Sequence, residues 1–368
     1  MDDFGYSLEV KLTDEELARY LAHKRRWCDF QPLLESRGYR LPKQYHPDRA
    51  SAWLEAPRAM SRNHMCYPHL LHGTRISDDR PVMLKLSRTD LWEATIFEHL
   101  SSIPDPDNHT IPLYDVITPP SMPGADTTDQ WCIVITPRLT DCRNRHIDSL
   151  RDFVNFLSQV LEGVCFMHRY NIAHTDVART NIVWDARPNP PDPSDAKGKS
   201  SWSEKKNLAP KKYYFIDFGL ACSFSSFEER GLVRGVCGQH RNIPELSEEI
   251  PYDPFPLDIR QLGEMLKRDY TEVYVGLVFL EPWMARLRDD DPAKRPTAPE
   301  ALAGFQMLVS TLPEEKLRAR LLGRNEWPYG RRILMVAMFL WIVGNASFLW
   351  WNWDRFDMSI SQTLVEQR

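Results

Sequence analysis

Polar residues of the kinds that bind metal ions and activate hydroxyl groups lie in two short stretches of the sequence. The stretch HTDVARTNIVWD (174–185) holds Asp176 and Asn181, and the stretch YYFIDFGLA (213–221) holds Asp217 at the end of a predicted strand. Mg²⁺ prefers hard oxygen ligands of this kind, and a carboxylate can also accept the proton of a hydroxyl nucleophile. These residues are therefore suited to bind Mg²⁺ and to activate a hydroxyl nucleophile.

Both stretches resemble motifs of the eukaryotic protein kinases, namely the His-Arg-Asp catalytic loop and the Asp-Phe-Gly motif. Five further stretches resemble kinase motifs in the same order along 61–312, namely PVMLK, EATIFEHL, NIPEL, DIRQLG and DDPAKRPTA. The pieces DFQPLLESRGYRLPKQYHPD, GTRISDD and NIAHTDVARTNIV resemble more narrowly the protein-kinase-like proteins of mushroom-forming fungi. The resemblance implies ATP and Mg²⁺ as cofactors and a Ser/Thr hydroxyl of a protein substrate as the acceptor.

The resemblance also implies a role for each matched residue. Asp176 is the expected catalytic base, and Lys85 with Glu93 is expected to hold the nucleotide phosphates. Asn181 and Asp217 are the expected metal ligands. Structural roles fall on His174, on Asp258 at the start of a helix, and on Glu245 with Arg295 as an expected ion pair.

Thr136 and Arg138 are the expected nucleotide-binding residues between the two lobes of such a fold. If Ile135 is the gatekeeper, Arg138 donates its backbone N–H to adenine. If Val134 is the gatekeeper, the donor falls on Pro137, which has no N–H, and binding weakens. The first alignment is preferred because IVITPRL then has the usual strand length.

Three departures from the kinase pattern bear on activity. The stretch SRNHMCYPHLLHG before Lys85 contains only Gly73 in place of a glycine-rich loop that would approach phosphates closely. Thr175 replaces the arginine of His-Arg-Asp, so control by phosphorylation of the activation segment is not expected. Ala178 replaces the usual lysine, and Arg179 is therefore assigned as the cation at the γ-phosphate.

Three functions stay open on these residues. An active Ser/Thr-type protein kinase is favoured by the five core polar residues, whereas the missing glycine loop favours a pseudokinase that serves as a scaffold or binding module. A small-molecule phosphotransferase is disfavoured by Glu245 and Arg295, which brace a segment for protein substrates.

The resemblance implies an α+β, two-lobed protein-kinase-like fold, with a small β-rich N-lobe and a larger helical C-lobe, as the scaffold that positions these residues. Alternating or continuous apolar runs predict strands, and helical spacing predicts a long helix over SLRDFVNFLSQVLEGVCFMHRY. After Phe224 the chain is expected to be mostly helical through Leu322. The predicted organisation is a lead-in segment (1–60), a kinase-like domain (61–312), a basic juxtamembrane segment (313–332), a transmembrane helix (333–353) and a short tail (354–368).

Two segments differ from the rest in composition. Residues 186–212 hold five prolines and six lysines, which predicts a flexible surface insert between two strands. The insert could contact an acidic partner or a membrane, although a solvated loop is the simpler interpretation. Ile333–Trp351 is uncharged over 19 residues, long enough to cross a bilayer.

Arginines precede that uncharged run, which places the kinase-like domain in the cytosol of a single-pass membrane protein. A buried core helix or an interfacial helix is the alternative for the same run.

Composition excludes several other classes of protein. Lys plus Arg is 46 and Asp plus Glu is 51, a net charge of −5, which argues against a dedicated nucleic-acid binder. Seven cysteines without a Cys-x-x-Cys pair argue against a disulfide scaffold and a structural zinc site. The opening residues MDD begin no apolar run, so no secretory signal is expected.

Overall fold

A computed structural model describes residues 13–46, 69–89, 92–119, 131–142, 147–185, 211–324 and Trp341. These residues form a mixed α+β fold. Their α-helices are α1 (Asp14–Ser36), α2 (Glu93–Ser101), α3 (Leu150–Arg169), α4 (Pro254–Leu266), α5 (Glu281–Leu287), α6 (Ala298–Ser310) and α7 (Glu314–Arg318). Their longer strands are β2 (Leu70–Arg75), β3 (Arg80–Arg88), β5 (Trp131–Pro137) and β12 (Ser247–Tyr252).

The remaining strands are two or three residues long. They are β1 (Tyr39–Arg40), β4 (Asp115–Ile117), β6 (Thr140–Asp141), β7 (Ile172–Ala173), β8 (Ile182–Trp184), β9 (Tyr213–Phe215), β10 (Cys222–Ser223) and β11 (Val233–Gly235). Most of these short strands flank the loops that carry the predicted site.

One five-stranded antiparallel sheet has the order β1-β2-β3-β5-β4. Because side chains alternate along a strand, β3 and β5 each bury residues on both faces of this sheet. One face packs with α1, whose Trp27, Phe30 and Leu34 share a buried cluster with Leu84 and Ile135. The other face contributes Val134 to the main core, beside Ile96 and Phe97 of α2.

The described part of the predicted lead-in segment, residues 13–46, packs with the sheet. Tyr39 and Arg40 pair with Arg75 and Thr74 as the first strand of the sheet. The first helix, α1, continues through Pro32 to Ser36. Its buried residues need the sheet as a partner, so the lead-in segment and the sheet form one core.

The long predicted helix is α3, at the centre of the second half of the chain. Ser149 caps its N-terminus by accepting a hydrogen bond from the backbone N–H of Asp152. One side of α3 is fully buried against α4, α6 and strand β9, with Phe153, Phe156 and Leu157 among its residues. This buried helix anchors the loops that follow it.

Two predictions about the later chain have different outcomes. The segment after Phe224 is not mostly helical at first, because β11 and β12 pair antiparallel before α4 begins.

The insert at 186–212 lies almost wholly outside the described residues, but its ends are adjacent. Trp184 pairs with Tyr213, and the Asp185 N–H donates to the Lys212 carbonyl at 3.0 Å. These ends match a connection between neighbouring strands.

The predicted transmembrane helix lies outside the described residues except for Trp341. Among the helices that the structure describes, none is long and apolar enough to cross a bilayer.

Candidate active site

A buried ion-pair network joins the sheet, α2 and the loop after β9. The Lys85 Nζ lies 2.5 Å from Glu93 Oε1 and 2.7 Å from Asp217 Oδ1. The Glu93 side chain is 2% exposed, whereas that of Asp217 is 50% exposed. Three of the predicted site residues therefore meet at one ammonium group, and Asp217 is the one open to solvent.

Ser87 completes this network and was not predicted from the sequence. It lies two residues after Lys85 on β3, so both side chains are on the same face of the strand. Its hydroxyl donates to Glu93 Oε2 at 2.8 Å, and the residue is buried. The signal in the sequence is a serine in phase with the lysine in an otherwise apolar strand.

Charge attraction outweighs burial in this network. Burial alone would lower the pKa of Lys85, but the carboxylates of Glu93 and Asp217 raise it above its ordinary value. Burial alone would raise the pKa of Asp217, but the Lys85 ammonium lowers it below its ordinary value. The lysine is therefore a stable cation, and Asp217 a stable anion, at neutral pH.

The carboxylate of Asp176 is held by donors from two sides. Asn181 Nδ2 donates to Asp176 Oδ2 at 2.8 Å and to the Asp176 carbonyl at 2.9 Å. The Gln239 backbone N–H donates to Asp176 Oδ1 at 2.7 Å. Asp176 is buried, so its orientation is fixed by these contacts. Gln239 was not predicted, and nothing in its local sequence indicates this contact.

Thr175, which precedes Asp176, and Asp217 itself have left-handed backbone conformations. Thr175 has φ = 58° and Asp217 has φ = 64°. A β-branched residue rarely adopts such a φ, and strained residues of this kind cluster at functional sites. The Thr175 hydroxyl donates to the Leu220 carbonyl at 2.5 Å, which joins the two loops directly. At the position where kinases have an arginine, this chain therefore links its loops through a hydroxyl.

The carboxylate of Asp258 holds the loop that carries His174, Thr175 and Asp176. Its Oδ2 accepts from the His174 N–H at 2.8 Å and its Oδ1 from the Thr175 N–H at 2.7 Å. His168 Nε2 lies 2.9 Å from Oδ2. Asp258 is fully buried near the start of α4, as its predicted structural role requires.

Gln261 holds the same loop and was also not predicted. Its Nε2 donates to the Thr175 carbonyl at 2.7 Å, and its Oε1 accepts from the Val177 N–H at 2.9 Å. It lies three residues after Asp258, on the same face of α4. The sequence signal is a second polar residue at helical spacing on a buried face.

His174 links the loop to α2 through aromatic packing. Its Nε2 lies 3.1 Å from the Ile216 carbonyl oxygen, and its ring centroid is 5.0 Å from that of Phe218. Phe218 in turn packs edge-on against Phe97 of α2 at 4.7 Å. The residue after Asp217 therefore sets the position of the helix that carries Glu93.

Asn181 and Asp217 are placed on adjacent strand ends, which suits the predicted Mg²⁺ site. The Ile216 N–H donates to the Asn181 carbonyl at 3.0 Å, and Ile182 pairs with Phe215. The amide nitrogen of Asn181 donates to Asp176, and its amide oxygen takes no part in that contact. One carboxylate and one amide oxygen fit Mg²⁺, which takes few protein ligands beside substrate phosphates.

No cluster of three or more His, Cys, Asp or Glu side chains that could enclose a metal ion occurs among the described residues. The fit to Mg²⁺ therefore rests on the paired oxygen ligands alone.

Arg179, predicted to act at the γ-phosphate, contacts Cys142 and Tyr270. Its Nη2 donates to the Cys142 carbonyl at 3.0 Å, and its guanidinium lies 5.4 Å from the centre of the Tyr270 ring. Its turn, Arg179–Asn181, directs Asn181 toward Asp176 and Arg179 toward the core. The positions of Arg179 and Asn181 in the sequence could not reveal that their side chains point to different parts of the structure from one tight turn.

The residues of the predicted hinge lie on different faces of the sheet. Ile135 pairs with Leu84, and both lie in the cluster beneath α1, on the face away from Lys85. The Arg138 N–H donates to the Pro81 carbonyl at 3.1 Å, so the sheet uses the group assigned to adenine. Thr136 does lie on the Lys85 face and is buried there.

Gly73 is a packing glycine of the sheet. A Cβ at this position would lie 2.9 Å from the Leu84 side chain and 3.0 Å from the Arg40 carbonyl oxygen. The neighbouring strands β1 and β3 leave no room for a side chain here, so packing of the sheet accounts for this glycine without any contact to a phosphate. The connection from β1 to β2, where a glycine-rich loop would lie, has no glycine.

Glu245 and Arg295 form the predicted ion pair. The guanidinium contacts both carboxylate oxygens, with Nη2 to Oε2 at 3.0 Å, and the Arg295 side chain is fully buried. Arg295 also donates to the carbonyls of Asp289 and Pro256. This pair anchors the end of the segment that begins at Asp217 and passes over Asp176.

A cavity of about 610 Å³ lies beside the network, between α2, the end of α3 and β10. Trp92, Ile96, Tyr170 and Phe224 are among its lining residues. Lys85, Asp176 and Asp217 do not line it. It is therefore separate from the carboxylate site.

A comparison of the sequence with models of known protein families finds no match.

Proposed function

We propose that the protein is a Mg²⁺- and ATP-dependent protein kinase that transfers the γ-phosphoryl group to a Ser/Thr hydroxyl of a protein substrate. The observation that carries this proposal is the contact of Lys85 with both Glu93 and Asp217, beside a buried Asp176 held by Asn181. A fixed ammonium group, a solvent-facing carboxylate and an oriented base are the parts that phosphoryl transfer requires. The resemblance in motif order supports the same conclusion.

Each residue has a part in the proposed reaction. Lys85 binds the nucleotide phosphates, and Asp176 orients the acceptor hydroxyl. The bond from the γ-phosphorus to the ADP oxygen breaks, and ADP keeps the electron pair. A bond forms from the phosphorus to the hydroxyl oxygen, whose proton passes to Asp176. Mg²⁺ at Asn181 and Asp217 would supply neutralising charge to the phosphate oxygens when bound.

Adenine recognition needs a donor other than Arg138. With Thr136 on the Lys85 face at the end of β5, the backbone N–H of Leu139 is the donor that we expect. This replaces the earlier assignment, in which the gatekeeper was Ile135.

The test is a comparison of two carboxylate variants in the purified full-length chain. Asp176→Asn should lower the rate of phosphate transfer to generic peptides by roughly 10²-fold or more, with nucleotide affinity kept, because only the base is lost. Asp217→Asn should weaken Mg·ATP binding itself, since its carboxylate would contact the metal. Transfer that survives Asp176→Asn unchanged would refute the assignment of the base.

A pseudokinase that binds partners without transfer is the second candidate. It is favoured by the connection from β1 to β2, which has no glycine to let backbone N–H groups approach the phosphates. Under this alternative the wild-type protein binds peptides or nucleotide but transfers no phosphate, and neither carboxylate variant changes that.

We also propose that residues 333–353 form a single membrane-spanning helix, with the kinase-like domain on the cytosolic side. The uncharged run and the arginines before it support this proposal. Deletion of 333–353 should move the protein from the membrane fraction to the supernatant after ultracentrifugation. A full-length protein that is already found in the supernatant without detergent would exclude the anchor.

A further inference from the structure

The turn at Gly238 and Gln239 lies directly on the carboxylate of Asp176. The Gln239 N–H donates to Asp176 Oδ1 at 2.7 Å, and a Cβ on Gly238 would lie 3.0 Å from the same oxygen. Gly238 has φ = +110°, a conformation that residues with a side chain rarely adopt. Glycine is therefore required twice here, for the backbone conformation and for the close approach.

The two donors to Asp176 act on different oxygens. Asn181 Nδ2 binds Oδ2 from the catalytic loop, and the Gln239 N–H binds Oδ1 from the segment above it. An ionised carboxylate has about four lone-pair sites, so one site on each oxygen remains for an acceptor hydroxyl. Together the two donors fix the plane of the carboxylate without using up its capacity to accept a proton.

The position of this turn is set from both of its ends. Next to Gln239, His240 is buried, while the Gln239 side chain itself is exposed. Before the turn, the Tyr252 hydroxyl donates to the Gly235 carbonyl at 3.0 Å. After it, Glu245 is tied to the buried Arg295. The turn is thus anchored as an element of the site.

We propose that Gly238 and Gln239 are positioning residues, which hold the Asp176 carboxylate in the orientation that phosphate transfer needs. This inference rests on the proposed function, because the reaction is what gives the orientation its value. Displacement of a reacting group by about 1 Å can cost 10²-fold in rate. The segment that leads to Glu245 therefore contributes to the rate through its backbone.

The test compares Gly238→Ala with Gly276→Ala. Gly276 also has a positive φ, +99°, but no atom lies within 4 Å of a Cβ placed there, and it has no part in the turn over Asp176. Both variants strain the backbone, and only Gly238→Ala presses on Asp176. We expect kcat for peptide phosphorylation to fall by about 10- to 10²-fold in Gly238→Ala. KM for ATP should stay unchanged, and Gly276→Ala should stay near wild type.

A second arm separates positioning from general damage to the fold. In an Asp176→Asn background, Gly238→Ala should cause little further loss, because its effect passes through Asp176. An equal loss in both backgrounds would overturn the proposal, as would a rise in kcat, which would mean that the turn obstructs the base. Equal effects of the two glycine variants would overturn it too.

Hydrogen exchange at the Gln239 amide tests the contact without any transfer. We expect exchange at this amide to be slow in the wild type and at least tenfold faster in Asp176→Ala, with no change in Asp217→Asn. Exchange that does not respond to Asp176→Ala would overturn the proposed contact, even in a protein that transfers phosphate. A protein that responds here but transfers no phosphate would retain the contact and refute the proposed function.

Discussion

At the scale of single residues, the site depends on polar side chains that lie on the same face of a strand or helix as a predicted site residue. Lys85 and Ser87 lie two residues apart on one strand and therefore on the same face, and Asp258 and Gln261 lie about one helical turn apart. In each pair the sequence indicates the first residue through the kinase-like motif, whereas the second is visible only through its periodicity. Periodicity therefore adds positioning residues to the residues that the motifs predict.

Ser87→Ala tests this reasoning. The change removes a hydrogen bond to a buried carboxylate, and we expect a loss of about 2 kcal/mol in the free energy of unfolding, because bonds to charged groups contribute 1.5–3 kcal/mol. Nucleotide affinity should also fall, since Glu93 then holds Lys85 less firmly. Urea denaturation and nucleotide titration measure the two effects.

Ser102→Ala is the matched control, because that exposed hydroxyl binds only the His99 carbonyl at the end of α2. It should be close to wild type in both measurements. Equal stability of the two serine variants would contradict the role of Ser87.

At the scale of elements, α2 is coupled to the loops at His174 and Asp217 by two routes. The first is the Glu93–Lys85–Asp217 network, and the second is the packing of Phe97 on Phe218 and of Phe218 on His174. Because Asp217 and Phe218 are adjacent, a movement of their loop disturbs both routes at once. The position of α2 is therefore tied to the conformation at residues 217–218.

The connection between strands β8 and β9 is the part of the chain that should tolerate the largest change in sequence. Replacement of residues 187–209 by a linker of about six residues should leave the melting temperature at or slightly above that of the wild type. Each halving of a loop saves about 0.6 kcal/mol of closure entropy, and Asp185 already lies against Lys212.

A deletion extended through Lys212 should lower the melting temperature, because it also removes the mostly buried Lys211, whose Nζ lies 3.2 Å from Asp152 Oδ1. Thermal unfolding followed by circular dichroism distinguishes the two variants. A lower melting temperature for the shorter replacement alone would show that the segment contributes to the fold.

At the scale of the whole molecule, the sequence predicts local elements better than their assembly. The strands around Lys85, the helix at Glu93 and the strand pair beside Asp217 occur where their patterns place them. The contacts of Arg179 and Arg138 could not be predicted, because a tight turn and the register of β3 on β5 decide which way each group faces. The place of α1 on the sheet was missed because partners such as Leu84 and Ile135 lie 50 or more positions after Leu34.

The stability of the folded protein should fall in mild acid because of two buried histidines. His109 and His240 are both buried, and burial lowers the pKa of each below its ordinary value of 6.5. His109 lies against the Tyr213 carbonyl and Glu162, with Lys212 nearby. The charged groups near His240 are Arg268, Asp269, Glu264 and Asp176.

In the unfolded chain each imidazole takes up a proton near pH 6.5, whereas in the folded protein it stays neutral to lower pH. The unfolded state therefore binds more protons just below pH 6.5, and the free energy of unfolding falls as the pH is lowered through that range. Each histidine contributes at most about 1.4 kcal/mol per pH unit. Carboxylates such as Asp217, whose pKa is lowered, keep their contribution until the pH falls below about 4.

Urea denaturation at pH 7.0 and pH 5.5 measures this loss. We expect the wild type to lose stability between the two values, and His109→Gln and His240→Gln each to lose less, because each removes one proton-uptake site of the unfolded chain. His46→Gln is the control, since that side chain is exposed, and it should follow the wild type. A wild-type protein equally stable at both pH values would show that neither imidazole is held neutral by the fold.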